Sequence, residues 1–107
     1  MLYWTDIDEQ TIYMWDASSG DLTAVRTSGR VGSFAFRKSG GMLLACEAKI
    51  LKATIGGVVE SEFFVVPSSR TTMRLNDGAC DRDGRFLVGE YDYESPGSGG
   101  LFAVDRE

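Results

Sequence analysis

With 107 residues, 43% of them hydrophobic and 25% charged, the chain has the composition of one folded domain or part of one, not of a disordered segment. Its formal charge is −5 and its Lys and Arg residues are scattered, so no basic stripe is available to a phosphate backbone and nucleic-acid binding is set aside. Histidine is absent, which excludes a Ser-His-Asp or Cys-His arrangement and histidine-bearing zinc sites within this chain; hydrolysis would need carboxylates, a lysine, or a metal held by oxygen ligands.

Taken in order, the chain reads as short strands and turns. Leu2 to Thr5 is aromatic and apolar, and Thr11 to Trp15 alternates, with Asp6 to Gln10 as a polar turn between them. Ala17-Ser18-Ser19-Gly20 is a turn by composition, followed by strand candidates at Leu22 to Arg26 and Ser33 to Arg37. Ser39-Gly40-Gly41 marks a further turn before Met42 to Cys46. Ile50 to Ile55 and Val58 to Val66 flank Gly56-Gly57, a strong hairpin signal. Arg85 to Gly89 and Leu101 to Asp105 end the series, separated by the loop Glu94 to Gly100. No window of helical length carries an apolar stripe at helical period, so the fold class is all-β. The apolar runs, such as Met42 to Cys46, are too short to cross a bilayer, so no membrane partner is expected. There is no basic start followed by an apolar segment, and the expected location is the cytoplasm. Cys46 and Cys80 are then expected as small buried residues, not as a disulfide framework.

The chain also repeats. Arg30-Val-Gly-Ser-Phe-Ala matches Arg74-Leu-Asn-Asp-Gly-Ala, and Gly40 and Gly84 occupy the same place, 44 residues apart. A second echo relates Leu2-Tyr3-Trp4 and Ile12 to Asp16 with Phe86-Leu87-Val88 and Leu101 to Asp105. A period in the low forties with several short strands per unit fits a propeller blade of four antiparallel strands, and a β-sandwich is the structural alternative. The spaced repeat favours the propeller. It divides the chain into part of a first blade (1–29), a second (30–73) and the start of a third (74–107), roughly two and a half blades. Such a piece cannot close a ring, so blade faces and strand edges are expected to lie open, either to a longer natural chain or to self-association.

Arg74-Leu75-Asn76-Asp77-Gly78, followed by Asp81-Arg82-Asp83-Gly84-Arg85-Phe86-Leu87-Val88-Gly89, resembles the gluconolactonase/regucalcin (senescence marker protein) family, in which an Arg-x-Asn-Asp-Gly run precedes an Asp-x-x-Gly-Arg turn and an apolar strand. Leu2-Tyr3-Trp4-Thr5-Asp6-Ile7 and Ile12 to Asp16 are similar to that family's first blade, and Gly32 to Ala35 and Gly41 to Ala45 to its second. The resemblance implies part of a six-bladed β-propeller and metal-dependent hydrolysis of sugar lactones, with Ca²⁺, Zn²⁺ or Mn²⁺ as the ion. It implies that Arg74 and Asn76 bind the sugar lactone in the central cavity. Asp77 matches a cavity-side acidic residue, and Glu94 a further substrate-contacting glutamate in a loop that differs from the family's. It also implies that this chain carries none of the principal metal ligands, which are a glutamate before the Leu-Tyr-Trp strand, an asparagine one blade further on and an aspartate beyond. No catalytic residue is assigned within the chain, since that aspartate is the family's favoured general base.

Plain structural readings stand beside these. Asn76-Asp77-Gly78 is a common turn tripeptide, Arg74 echoes Arg30 in the repeat, and Glu94 sits in a Gly/Ser/Pro loop. Trp4, Tyr13 and Trp15 read as packing between blades. Asp81-Arg82-Asp83-Gly84 would begin a calcium loop only in a register starting at Ala79, which cannot supply the first carboxylate. Two functions follow: a lactone hydrolase or part of one, and a non-catalytic propeller fragment that binds partners or assembles with itself.

Overall fold

The computed structural model of the chain describes residues 1–67, 72–95 and 97–105. Ten strands form three antiparallel sheets and no helix is present among the described residues. The first sheet holds β1 (Leu2–Asp6), β2 (Thr11–Trp15) and β3 (Leu22–Arg26). The second holds β4 (Val31–Phe36), β5 (Met42–Cys46), β6 (Lys49–Ala53) and β7 (Val59–Val65). The third holds β8 (Met73–Cys80), β9 (Phe86–Asp92) and β10 (Leu101–Val104). Strand order within each sheet follows chain order, as a meander of tight turns requires.

The second sheet is a filling between the other two. Ile12 from the first sheet packs with Val31, Met42, Leu44, Cys46, Leu51 and Ala53 of the second. Ala35, Ala45 and Ile50, also from the second sheet, pack with Leu75, Phe86, Val88 and Val104 of the third. Alternate residues of β4–β6 thus feed two cores, which is why β5, the Met-Leu-Leu-Ala-Cys strand, reads as a continuous apolar run. Tyr3, Phe34 and Phe36 join β1 to β4, with Tyr3 edge-on to Phe36 at 4.9 Å, and Thr5 Oγ1 donates to the Val31 carbonyl at 2.8 Å.

The repeat seen in the sequence recurs in the backbone bonds of the turns. Arg37 N donates to Gly41 O, and Gly40 N to Arg37 O; 44 residues on, Asp81 N donates to Arg85 O and Gly84 N to Asp81 O. Gly40 and Gly84 both have positive φ, 102° and 82°, which explains glycine at both places. The β4–β5 pairs Phe34↔Leu44, Ala35↔Leu43 and Phe36↔Met42 recur as Gly78↔Val88, Ala79↔Leu87 and Cys80↔Phe86. The bulge recurs as well, between Val31 and Ser33 in β4 and between Leu75 and Gly78 in β8.

Several expectations change. The segment 73–80 is a strand, not the turn that Asn76-Asp77-Gly78 suggests; the bulge absorbs the turn-like residues without ending the ladder. Strand β4 starts at Val31 and not at Ser33, because the bulge at Gly32 conceals the alternation. Strand β9 runs on to Asp92, beyond Gly89. Both cysteines are free, but only Cys46 is buried; Cys80 lies exposed. Trp4 and Tyr13 do stack, with centroids 5.3 Å apart, yet Trp4 and Trp15 are 40% and 39% exposed, since nothing among the described residues covers that face.

Strands β4 and β8, each the first of its sheet, lie side by side. A Cβ added at Gly32 would stand 2.4 Å from Leu75 O and 2.7 Å from Asn76 Cα, so only glycine allows the two backbones to meet. Gly32→Ala is therefore expected to destabilise the chain by about 2–3 kcal/mol in chemical denaturation, as rigid backbone is forced apart. Gly20→Ala, at a positive-φ turn with nothing within 4 Å, is expected to cost less, about 1 kcal/mol from backbone strain alone.

Candidate functional site

The close approach of β4 and β8 sets the floor of the candidate site. Ser33 Oγ donates to the Asn76 carbonyl at 2.7 Å, tying the two bulges together. On β8 the bulge releases Asn76 and Asp77 from pairing with β9, so their backbone is not committed to the ladder there. Bulges of this kind re-aim side chains. Here Arg74 Nη1 donates to Asn76 Oδ1 at 2.8 Å, and the Arg74 guanidinium lies 5.7 Å from the centre of the Tyr91 ring. Arg74 and Tyr91 are register partners across β8 and β9. The two residues singled out most strongly in the sequence, Arg74 and Asn76, therefore stand in direct contact and half-buried.

Asp77 is exposed, and its carboxylate accepts the Gly78 N–H at 2.9 Å. Glu94 is exposed too, in the turn after β9. That turn is anchored by Asp92, which is 1% exposed and whose Oδ1 accepts from Thr72 Oγ1 at 2.8 Å and from the Glu94 N–H at 3.0 Å. Among the described residues no hydrogen bond joins Glu94 or Asp77 to the Arg74–Asn76 pair, so the structure unites two of the four expected site residues directly.

Sequence reasoning missed Glu47. It follows β5 with a positive φ of 52°, a backbone state uncommon for any residue but glycine and asparagine. Its carboxylate grips Arg30 through Nε and Nη2, both at 2.9 Å, and accepts the Arg30 N–H at 2.7 Å. Its carbonyl accepts the Leu75 N–H at 2.7 Å, beside Arg74. Gly29 leaves the room for it: a Cβ there would lie 2.7 Å from Glu47 Cγ. The Arg30 hydrogen bond, with a further contribution from the nearby Arg74 charge, holds the Glu47 carboxyl below the usual carboxylate range despite partial burial. The same bond, aided by Tyr93, raises Arg30 further above its usual value. Only the register of β4 against β5 could have revealed this pair, which is 17 residues apart in sequence.

A metal is another matter. Among the described residues no group of three carboxylate or thiol side chains converges. Asn76 Oδ1, an amide oxygen suited to a hard cation, already faces a guanidinium at 2.8 Å, which repels one. Asp81, in the calcium-loop-like run, spends its carboxylate on the Asp83 and Arg85 N–H groups and on Arg85 Nε at 2.7 Å. The described residues do not fit a metal site by themselves, whereas the Arg–Asn pair suits the oxygens of a polar or anionic ligand.

The whole chain, residues 1–107, matches the family model described as the SMP-30/Gluconolactonase/LRE-like region. It belongs to that family. Regucalcin of Xenopus laevis is 32% identical over 93 residues, covering 87% of this chain and 31% of the relative. Regucalcin of Gallus gallus is 29% identical over 84 residues, covering 78% and 28%. The chain thus spans under a third of the length of the curated relatives it matches. Its fold matches a luciferin-regenerating enzyme with a TM-score of 0.84 at 23% identity, covering 96% of this chain and 38% of that one. It also matches regucalcin of Agrobacterium tumefaciens, a calcium-binding protein, with a TM-score of 0.81 at 21% identity, covering 97% and 36%. These are propeller-type proteins with six blades, so the three sheets are part of such a propeller.

The ion pair supplies a pH test. Because the folded Glu47 carboxyl is depressed, the pair's stabilisation is complete above the unfolded value near 4.5 and is lost as the pH falls through the lower folded value. The thermal midpoint is expected to fall between about pH 5 and pH 3, and to fall by less in Glu47→Gln, which lacks that titration. Equal slopes in both proteins would show that the pair contributes nothing to this dependence. Glu47 keeps 40% of its side chain exposed, so added salt should shrink the difference.

Proposed function

We propose that this chain supplies part of the substrate wall of a sugar-lactone hydrolase, with Arg74 and Asn76 as its binding residues. The observation that carries the reading is the half-buried Arg74–Asn76 pair, aimed by a bulge on the first strand of its blade and left without a bridging carboxylate among the described residues. A guanidinium and a carboxamide together present several N–H donors, which suit the ring and hydroxyl oxygens of a lactone and the negative charge that builds on its carbonyl during attack. Glu94 and Asp77, both exposed, are the further residues proposed to contact sugar hydroxyls. Family membership supports lactone chemistry as the reaction class. The divalent ion of the expectation finds no ligand set among the described residues, so no step is assigned to it.

A second reading rests on a different observation. Leu2, Trp4, Trp15 and Leu22 form an open apolar face on the first sheet, from 39% to 58% exposed. That face supports a binding or self-assembling module, and Trp15→Glu is expected to reduce concentration-dependent association in sedimentation.

The lactone reading is tested by calorimetric titration of D-glucono-1,5-lactone, with acid release followed with and without Ca²⁺, Zn²⁺ and Mn²⁺. The expected result is saturable binding that weakens about tenfold or more in Arg74→Ala and in Asn76→Ala. No binding, or binding indifferent to both substitutions, overturns it. Metal-dependent acid release that vanishes in Arg74→Ala would extend the reading from recognition to catalysis.

A further inference from the structure

The repeat places two arginines in equivalent positions with different partners. Arg30 precedes β4 and faces Glu47, whose N–H donates to the Arg30 carbonyl at 2.9 Å. Arg74 opens the matching stretch of β8 and faces Tyr91, its register partner on β9. Glu47 and Tyr91 are 44 residues apart, the same offset that relates Arg30 to Arg74 and Gly40 to Gly84. The neighbouring pairs agree: Val31↔Cys46 in the second sheet becomes Leu75↔Glu90 in the third. One scaffold therefore holds each arginine against a different side chain.

The chemical consequences diverge. Arg30 is neutralised by a bidentate carboxylate, with both bonds at 2.9 Å, and its other face is covered by Tyr93 at 5.7 Å. Arg74 lies over the Tyr91 ring, also at 5.7 Å, and donates to a neutral amide oxygen. A ring face fixes a guanidinium through its quadrupole without cancelling the charge. Glu47 gives its direct bonds to Arg30, so Arg74 meets it only as a neighbouring charge without a direct bond. Of two equivalent cations, one has a carboxylate partner, and the other is held by a ring and by the neutral oxygens of Asn76 and Leu75, with its charge unpaired among the described residues.

We propose that Tyr91 is a positioning and specificity-determining residue, which orients Arg74 while leaving its charge unpaired for an oxyanion of a sugar, such as the carboxylate of an aldonic acid or the developing oxyanion of its lactone. This rests on the reading of β8 as the substrate wall and adds the rule that selects Arg74 over Arg30. Glu47 plays the opposite part: it removes Arg30 from competition for the same anion. A glutamate kept at a φ of 52°, where glycine would fit more easily, agrees with a side chain retained for its carboxylate.

The test uses the full chain and two readouts. An arginine-selective dicarbonyl, phenylglyoxal, is applied and each arginine's modification rate is read by peptide mass mapping. Arg74 is expected to react several-fold faster than Arg30, because the reagent needs a guanidinium free of a carboxylate partner. Glu47→Gln is expected to raise the rate at Arg30. Tyr91→Glu, which copies the Arg30 arrangement at a 37%-exposed position, is expected to slow Arg74 to the rate of Arg30. It should also weaken gluconate binding about tenfold, while Tyr91→Phe, which keeps the ring, retains the wild-type order of rates. Equal rates at Arg30 and Arg74 in the wild type, or an unchanged Arg74 rate in Tyr91→Glu, overturn the proposal. If the wild type binds no gluconate, the lactone-wall reading falls, and the modification rates alone decide whether the partner rule stands.

Discussion

The contact between the β4 and β8 backbones at Gly32 is the constraint from which the candidate site follows. Without a Cβ at residue 32, Leu75 O and Asn76 Cα come within a distance no side chain could share. That approach brings the bulges of two sheets together, and Ser33 Oγ locks them through the Asn76 carbonyl. Gly78 has the same role on the other side, where a Cβ would meet Leu87 O at 2.6 Å. With β8 so held, Asn76 is freed from the ladder and Arg74 turns onto it. The two cores on either side of the second sheet keep this geometry fixed, since sliding either sheet would open closely packed apolar surfaces.

The second and third sheets show how one scaffold carries different chemistry. Turns, register and bulges match at an offset of 44 residues, so backbone geometry is common property. The substitutions at equivalent positions create the difference: Gly32 becomes Asn76, Ser33 becomes Asp77 and Glu47 becomes Tyr91. In the second sheet Glu47 binds Arg30 in a bidentate pair and Ser33 donates to the Asn76 carbonyl; in the third Asn76 accepts from Arg74, which lies over the Tyr91 ring. Functional sites in repeat folds commonly arise this way, on a geometry that neighbouring units stabilise.

Much of this was legible in the sequence, and the failures have physical causes. The all-β class, the repeat and the Gly56-Gly57 hairpin were readable because alternation, fixed spacing and glycine punctuation are local signals. Arg74 and Asn76 were readable through their family-like run, although composition alone offers Asn76-Asp77-Gly78 as a turn. The strand 73–80 was hidden because a bulge breaks the two-residue period at Asn76 and Asp77. Glu47 was hidden because its importance lies in a partner 17 residues away and in a backbone state that its residue type does not advertise. The exposure of Cys80 was hidden for a simpler reason: at the end of a strand, which face is covered depends on the neighbouring sheet.

The central claim is that the β8 wall, and not the equivalent surface of β4, receives an anionic sugar. Amide chemical-shift mapping of the ¹⁵N-labelled chain with gluconate tests it most directly. The expected result is a set of saturable shifts at Arg74, Asn76, Asp77, Tyr91 and Glu94, with Arg30, Glu47 and the Asp81 turn little changed. Shifts centred on Arg30 and Glu47, or none at all at saturating gluconate, would contradict it.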